Sequence, residues 1–220
     1  KSVEVPIYAA VSAAAVAEAT DLSNTAVNPT SQTITASEVG VMTTLTDLAR
    51  NAAPRNVAAD IGRLFGEGIA KKQDQDLIGL FDGFSTAVGD GTSAITAAAI
   101  FNAASTLREN AVPLNESAVV LHPKIAYDLK SNLTNAFVNP NAGDVQNEAM
   151  RQGFVGTLAG LRIFESANIS NTGNAGDYKG AAFHRDAIAL AEMQGLKIES
   201  QRDASLRADE IVATAVYGVG

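Results

Sequence analysis

Two histidines, His122 and His184, are the residues best suited to chemistry in this chain. Each closes a short apolar run, in "SAVVLH" and "GAAFH". An imidazole in such a place could serve as a general base if a hydroxyl and an orienting carboxylate were brought beside it. Ser117 and Asp128 are near in sequence, but sequence alone does not place them in space. No nucleophile-elbow pattern accompanies either histidine. His122 also precedes Pro123, which reads as a corner where a strand hands over to a helix. A structural or solvent-facing role is therefore the reading taken for both histidines. The paired carboxylates Asp74/Asp76 and Asp209/Glu210 fall on faces that read as exposed.

Two glycine-rich stretches resemble anion-binding loops in outline only. "VGDGTS" (88–93) precedes a helix but lacks the lysine of a phosphate loop and the spacing of a dinucleotide loop. Asp90, Thr92 and Ser93 are ordinary helix-capping types. "GFVGTLAG" (153–160) reads as a turn leading into a strand. Asn115, Asn132 and Asn168 each open a glycosylation triplet, read here as chance. Cysteine is absent, which removes disulfides, thiolate nucleophiles and Cys-ligated zinc. Two histidines also make a His-based metal site improbable. No catalytic, cofactor-binding or metal-binding residue is assigned, and no cofactor is expected.

The chemistry is thin, but the chain is large enough for a substantial core. Its 220 residues would bury roughly 70% of the unfolded surface in one large domain or two modest ones. Hydrophobic residues make up 46%, yet aromatics only 5%, and Trp is absent. A core so rich in alanine is built from close backbone approach more than from bulky side chains. The net charge of −8 is spread along the chain, and no basic stripe is present. Tight direct nucleic-acid binding is not expected. No apolar run reaches the ~18 residues of a membrane span. The first residue is Lys1, so a leading segment removed or not seen is expected, and "VYGVG" stops inside a strand-like run that is expected to continue.

The elements follow from periodicity. "VEVPIY" alternates like a strand, and "TITASEVGVMTTLT" (33–46) returns as one. Between them, "DLSNTAVNPTSQ" (21–32) is turn-rich. The alanine-rich "YAAVSAAAVAEAT" has helical propensity within what otherwise reads as an extended arm, and both readings stand. Residues 54–82 read as one long helix, with Pro54 in its first turn. Val57, Ile61, Leu64, Phe65, Ile69, Leu77, Leu80 and Phe81 form its apolar face. Gly66 and Gly68 mark a bend or a close approach. A second helix is expected from Ser93 to Asn110, with Ile95, Phe101, Ala104 and Leu107 inward. "SAVVLH" (117–122) is a buried strand, and residues 123–132 form a helix. A polar loop follows (134–149), then a strand at 160–166. Three strand-like runs close the chain: "GAAFHRDAIALAEM", "GLKIESQR" and "DEIVATAVYGV". The expected class is α+β in two lobes, the first and last parts sharing one lobe around the long helix.

Six segments in this order resemble the major capsid proteins of tailed bacteriophages, with the shell fold of the Hong Kong ninety-seven type. "VEVPIY … AEATDLS" resembles the outgoing arm and tip of that family's extended loop, and "SQTITASEVGVMTTLTDLA" its return strand. "VAADIGRLFGEGIAKKQDQDLIGLFDGF" resembles the spine helix. "SAVVLHPKIAYDLK" resembles the strand-then-helix of the axial domain, and "GTLAGLRIFESANIS" the strand leaving it. "YKGAAFHRDAIALAEMQGLKIESQRD…DEIVATAVYG" resembles the closing strands.

The resemblance implies a phage major capsid fold with an extended loop, a peripheral domain holding a long spine helix, and an α/β axial domain. The boundaries expected are residues 1–46 for the loop and the strand that enters the peripheral domain, 47–90 for the peripheral domain, 91–165 for the axial domain, and 166–220 for the closing strands. It implies self-assembly as hexamers and pentamers into an icosahedral shell around viral DNA, without sequence-specific binding. Location would be the virion capsid, reached from the host cytoplasm during assembly. Portal, scaffolding and cement proteins are possible partners, and no membrane is involved. Contacts between subunits are expected at Ala17, Glu18 and Asp21 of the arm tip, and at Asn139, Asn141 and Asp144 of the polar loop. The family's usual N-terminal arm is missing before Lys1. Some members form lysine–asparagine cross-links from the loop, whereas residues 2–70 here hold no lysine. Two other readings compete: an encapsulin-like nanocompartment subunit, and an acidic soluble hydrolase using His122 or His184.

Overall fold

A computed structural model describes residues 1–19, 21, 22, 24–52, 57–89, 93–137, 156–170 and 177–220. In chain order its elements begin with β1 (Ser2–Ile7), β2 (Thr30–Thr35), β3 (Ser37–Thr46), α1 (Asp47–Ala52) and α2 (Val57–Gly79). A 3-10 turn (Leu80–Gly83) follows, then α3 (Ala97–Glu109), β4 (Ser117–Leu121) and α4 (Pro123–Phe137). The rest are β5 (Thr157–Leu158), β6 (Leu161–Glu165), β7 (Ala181–His184), a second 3-10 turn (Arg185–Ala187), β8 (Leu190–Asp203) and β9 (Ala208–Val219). The chain forms two compact units. The first takes Lys1–Ile69 and Ala189–Gly220, and the second Ala70–Ile188.

In the first unit, β9 lies between β3 and β8 and is antiparallel to both. Its residues alternate, so Ile211, Ala213, Ala215 and Tyr217 share one buried face. Phe65 and Ile69 of α2 cover that face. The two alanines leave room for the helix, and Phe65, Ile69 and Tyr217 complete the cluster. Ile61 and Val39 pack at the margin. Leu64, expected inward, is 56% exposed. The helix meets a single sheet, so only the Ile61–Phe65–Ile69 stripe at i, i+4 spacing is covered. Gly66 does mark an approach, but by the side chain of Leu196, whose Cδ2 lies 3.7 Å from the place of a β-carbon.

The second unit holds a four-stranded sheet in the order β5-β6-β4-β7, with β4 parallel to β6 and antiparallel to β7. Ser117, Val119 and Leu121 alternate onto its buried face. There they meet Leu161 and Ile163 of β6, Ile100 and Ala104 of α3, and Ala126 and Leu129 of α4. The turn from β5 to β6 is Ala159–Gly160, both at positive φ (56° and 88°). A two-residue hairpin turn with the strands' own twist requires such angles. This is the turn expected of "GFVGTLAG".

The elements differ from expectation in five places. The alanine-rich run takes neither helix nor strand. Helix already stands at α1 (Asp47–Ala52), before the expected start, and the long helix ends at Gly79, where the chain tightens into the 3-10 turn; Pro54 lies outside the described residues. Phe101 is half-exposed: α3 buries Ile100, Ala103 and Ala104, and Ile95 and Leu107 pack against that core as expected, which leaves Phe101 at the margin of the covered face. Helix α4 runs on to Phe137, taking in the start of the expected polar loop. The first closing run divides into β7 and, from Leu190, a part that joins the second run as the single strand β8, since pairing with β9 continues past Gly195 through register shifts between Glu192 and Lys197. Bulges absorb the extra residues without ending the ladder.

Candidate assembly surface

Strands β1 and β2 pair from Ser2↔Thr35 to Ile7↔Thr30 and form an arm. Every residue of β1 is exposed, and Val3, Val5 and Ile7 share one face by alternation. Beyond the strands, Tyr8, Val11, Val16, Leu22 and Val27 are also exposed, Leu22 at 81%. Within the arm's described residues, Ile34 alone is buried, at 3%. It anchors the root of the arm, where Ala36 N–H also donates to the Lys1 carbonyl at 3.0 Å. Two strands are marginal in water by themselves. Apolar side chains gathered on such an arm mark a surface for a partner. Ala17, Glu18 and Asp21 are all exposed in the stretch that joins the two strands. Asn139, Asn141 and Asp144 lie outside the described residues.

An ionic ring ties α1 to the far end of the β8–β9 hairpin. Arg202 donates to both oxygens of Asp47 (2.8 and 2.6 Å) and to Asp209 at 3.2 Å. Arg50 donates to Asp47 at 2.8 Å and to Asp209 as well. The hydrogen bond from Arg202, before any longer-range attraction, holds the Asp47 carboxyl below its ordinary range. In the adjoining turn, Asp203 accepts from the Ser205 hydroxyl (2.6 Å), the Ser205 N–H (2.8 Å) and the Leu206 N–H (3.1 Å). These bonds lower its pKa too, the hydroxyl most. Sequence reading singled out Asp209 as half of a carboxylate pair and passed over the ring. Arg50, Asp47 and Arg202 carry no pattern until the strands bring them together.

The histidines sit where geometry favours structure over catalysis. His122 stacks flat on Tyr178, with ring centroids 3.5 Å apart and planes 4° apart. Its Nδ1 accepts from the Lys124 N–H at 3.2 Å, within the strand-to-helix corner. His184 is Ser117's partner across β4 and β7. Ser117, however, is 1% exposed, and its hydroxyl donates to the Pro113 carbonyl at 2.8 Å. His184 Nδ1 accepts from the Asp186 N–H at 3.3 Å, and Nε2 faces Glu116 at 3.8 Å. A buried hydroxyl committed to a carbonyl is not placed to attack a substrate. Asp74 accepts from the Ser166 hydroxyl (3.1 Å) and from the Asn168 amide, so it clamps the loop after β6 rather than pairing with Asp76. Asp76 pairs with Lys72. Among the described residues no cluster of histidines and carboxylates is arranged to hold a metal. Asp90 and Thr92 of "VGDGTS" lie outside the described residues.

A family model described as phage capsid protein matches residues 28–220. The chain belongs to that family. Solved structures agree in fold. The capsid of cyanophage P-SCSP1u is 20% identical and superposes with a TM-score of 0.74, over 100% of this chain and 80% of that one. Mycobacterium phage Che8 gives 25% identity and a TM-score of 0.74 over 99% and 79%. The head of Helicobacter pylori bacteriophage KHP40 gives 14% and 0.73 over 100% and 78%. No curated protein matches the chain. This phage capsid protein is thus a structural shell protein of α+β fold that associates with itself, and its place is the virion. The nanocompartment and hydrolase readings are not favoured by these likenesses. Among the described residues, no helix is long and apolar enough to cross a membrane.

Proposed function

We propose that the protein assembles as hexamers and pentamers into an icosahedral shell enclosing viral DNA, each arm lying on a neighbouring subunit. The observation that carries this reading is the arm itself: Val3, Val5 and Ile7 stand exposed on one face of a hairpin with no core of its own. A neighbour is the surface on which they lose contact with water. In this reading residues 1–46 are the extended loop with the strand that enters the peripheral domain, 47–90 the peripheral domain, 91–165 the axial domain, and 166–220 the closing strands. The tip residues Ala17, Glu18 and Asp21 touch a neighbour. So do Asn139, Asn141 and Asp144, proposed from sequence alone. The net charge of −8 suits a wall that holds DNA without gripping it. The protein carries out no catalysis, and portal, scaffolding and cement proteins complete the particle.

Electron microscopy of purified protein tests this directly. Closed shells built of six-fold and five-fold capsomers are expected. A monodisperse monomer at high concentration, with a protease-resistant arm, would overturn it.

A further inference from the structure

The alanine-rich stretch of the arm is a conformational oddity. From Ala9 to Ala19 it reads "AAVSAAAVAEA", alanine at most positions. Alanine has the highest helix propensity of any residue and is depleted in strands. Yet the segment is irregular and exposed throughout. The reason lies in length. A helix this short is marginal in water without a surface to pack on, because its first turn must be fixed before propagation compensates.

Three features show that the segment is prepared for a helix. Set at 100° per residue, Tyr8, Val11, Ala15 and Val16 fall within an arc of about 140°, with Ser12 the one polar residue inside it. The large side chains therefore share one face, and Ala10, Ala13, Ala14 and Ala17 take the other. The N-terminal limit is fixed, since the ladder of β1 and β2 ends at Ile7↔Thr30. The C-terminal limit is marked as well: Ala19 has φ of 61°, in the left-handed region. A left-handed residue just past the last turn is a common way for a helix to stop. Alanine takes that angle only at some cost, so its presence there is informative.

We infer that residues 8–19 are a folding switch, irregular in the free subunit and wound into a helix from Tyr8 to Glu18, with Ala19 as its left-handed stop, once Tyr8, Val11 and Val16 pack on a second copy of this chain. The inference rests on the shell reading above, because the second copy supplies the surface. Winding these eleven residues into a helix changes their span from about 36 Å extended to about 17 Å. The switch would draw the arm's tip back toward its root as the neighbour is engaged. Ordering that waits for contact also keeps a free arm from presenting a finished apolar face.

Cryo-electron microscopy of wild-type shells decides the point, beside far-UV circular dichroism of unassembled subunits and shells. Helical density over residues 8–18, with a gain of helical signal on assembly, is expected. Two variants report on the same segment. Ala14→Gly should weaken assembly about fivefold, glycine's helix disadvantage relative to alanine. Ala14→Pro should weaken it further, while both leave the melting of the free subunit unchanged because the position is exposed. Shells with residues 8–19 extended, or Ala14→Pro assembling like wild type, would overturn the helix and leave the shell reading intact. Wild-type protein that forms no shells at any concentration would overturn the shell reading, and the switch with it.

Discussion

Ile34 of the arm lies directly against Gly220, so that a methyl group at Gly220 would fall 2.7 Å from Ile34 Cγ1. Gly218 is under the same constraint, its missing β-carbon 2.5 Å from the Thr35 carbonyl oxygen. Gly218 in β9 and Gly220 just after it thus stand without side chains where the root of the arm occupies the space. Gly218→Ala must push against backbone, which cannot yield as a side-chain tip can. Overpacking of this kind costs about 1–3 kcal/mol. Thermal unfolding should show that loss, whereas a melting point equal to wild type would mean that the arm root is not seated there.

The buried and exposed faces of α2 separate in mutants. Phe65 is 8% exposed and packs in one core with Ile211, Ala213, Ala215 and Tyr217 of β9. Phe65→Ala should cost about 3–5 kcal/mol, the range for a large aromatic removed from a core. Leu64→Ser, one residue round the helix, should change subunit stability by less than about 0.5 kcal/mol. Denaturant titration of the two variants compares them, and equal losses would show that the helix is turned otherwise.

Acid should act on the Asp47 ring with a definite sign. Asp47 has its carboxyl held below the ordinary value of 3.8 by Arg202. A lowered carboxylate contributes stability that is full above its unfolded pKa and is lost as pH falls through the folded one. The hold of α1 on the hairpin should therefore persist at pH 5 and weaken only below about pH 4. Asp47→Asn should flatten that part of the stability–pH curve while leaving the Arg50–Asp209 pair in place. A wild-type curve that falls between pH 7 and 5 and is unchanged in the variant would contradict the assignment.

His122 is a corner residue, and its replacement should be mild. His122→Gln keeps extended geometry before Pro123 and gives up the stack on Tyr178. A loss of about 1 kcal/mol is expected, with normal shell yield. Wild-type protein should show no turnover of ester, phosphate or peptide substrates. Turnover abolished by His122→Gln would reinstate a catalytic reading.

Shells should be held without covalent bonds. The chain has no cysteine, and residues 2–70 have no lysine from which an isopeptide could form within the arm. Boiled in detergent, shells should run as one monomer band. A ladder of multimers would disprove this.

Local rules were enough for most of the elements. The continuous apolar run in "SAVVL" specifies a short buried strand, and Pro123 after His122 specifies the corner, because both depend on neighbours along the chain. The absence of cysteine settled the question of disulfides outright. Helical periodicity placed Phe65 and Ile69 inward but also Leu64, because a sequence does not say how wide a surface the helix will meet. That width was set by β9, a single sheet face whose Ala213 and Ala215 come from the far end of the chain. The same holds for the Asp47–Arg202 ring, whose members are 155 positions apart and become neighbours only when β8 and β9 fold back along β3. Ile34 shows the division most plainly. It reads as one more β-branched residue of an exposed arm, and becomes buried because tertiary folding brings it to the glycines at the end of β9. Short-range sterics and periodicity act within a few residues and can be read from order alone. Burial and ion pairing depend on which distant segment arrives, and only the assembled fold decides that.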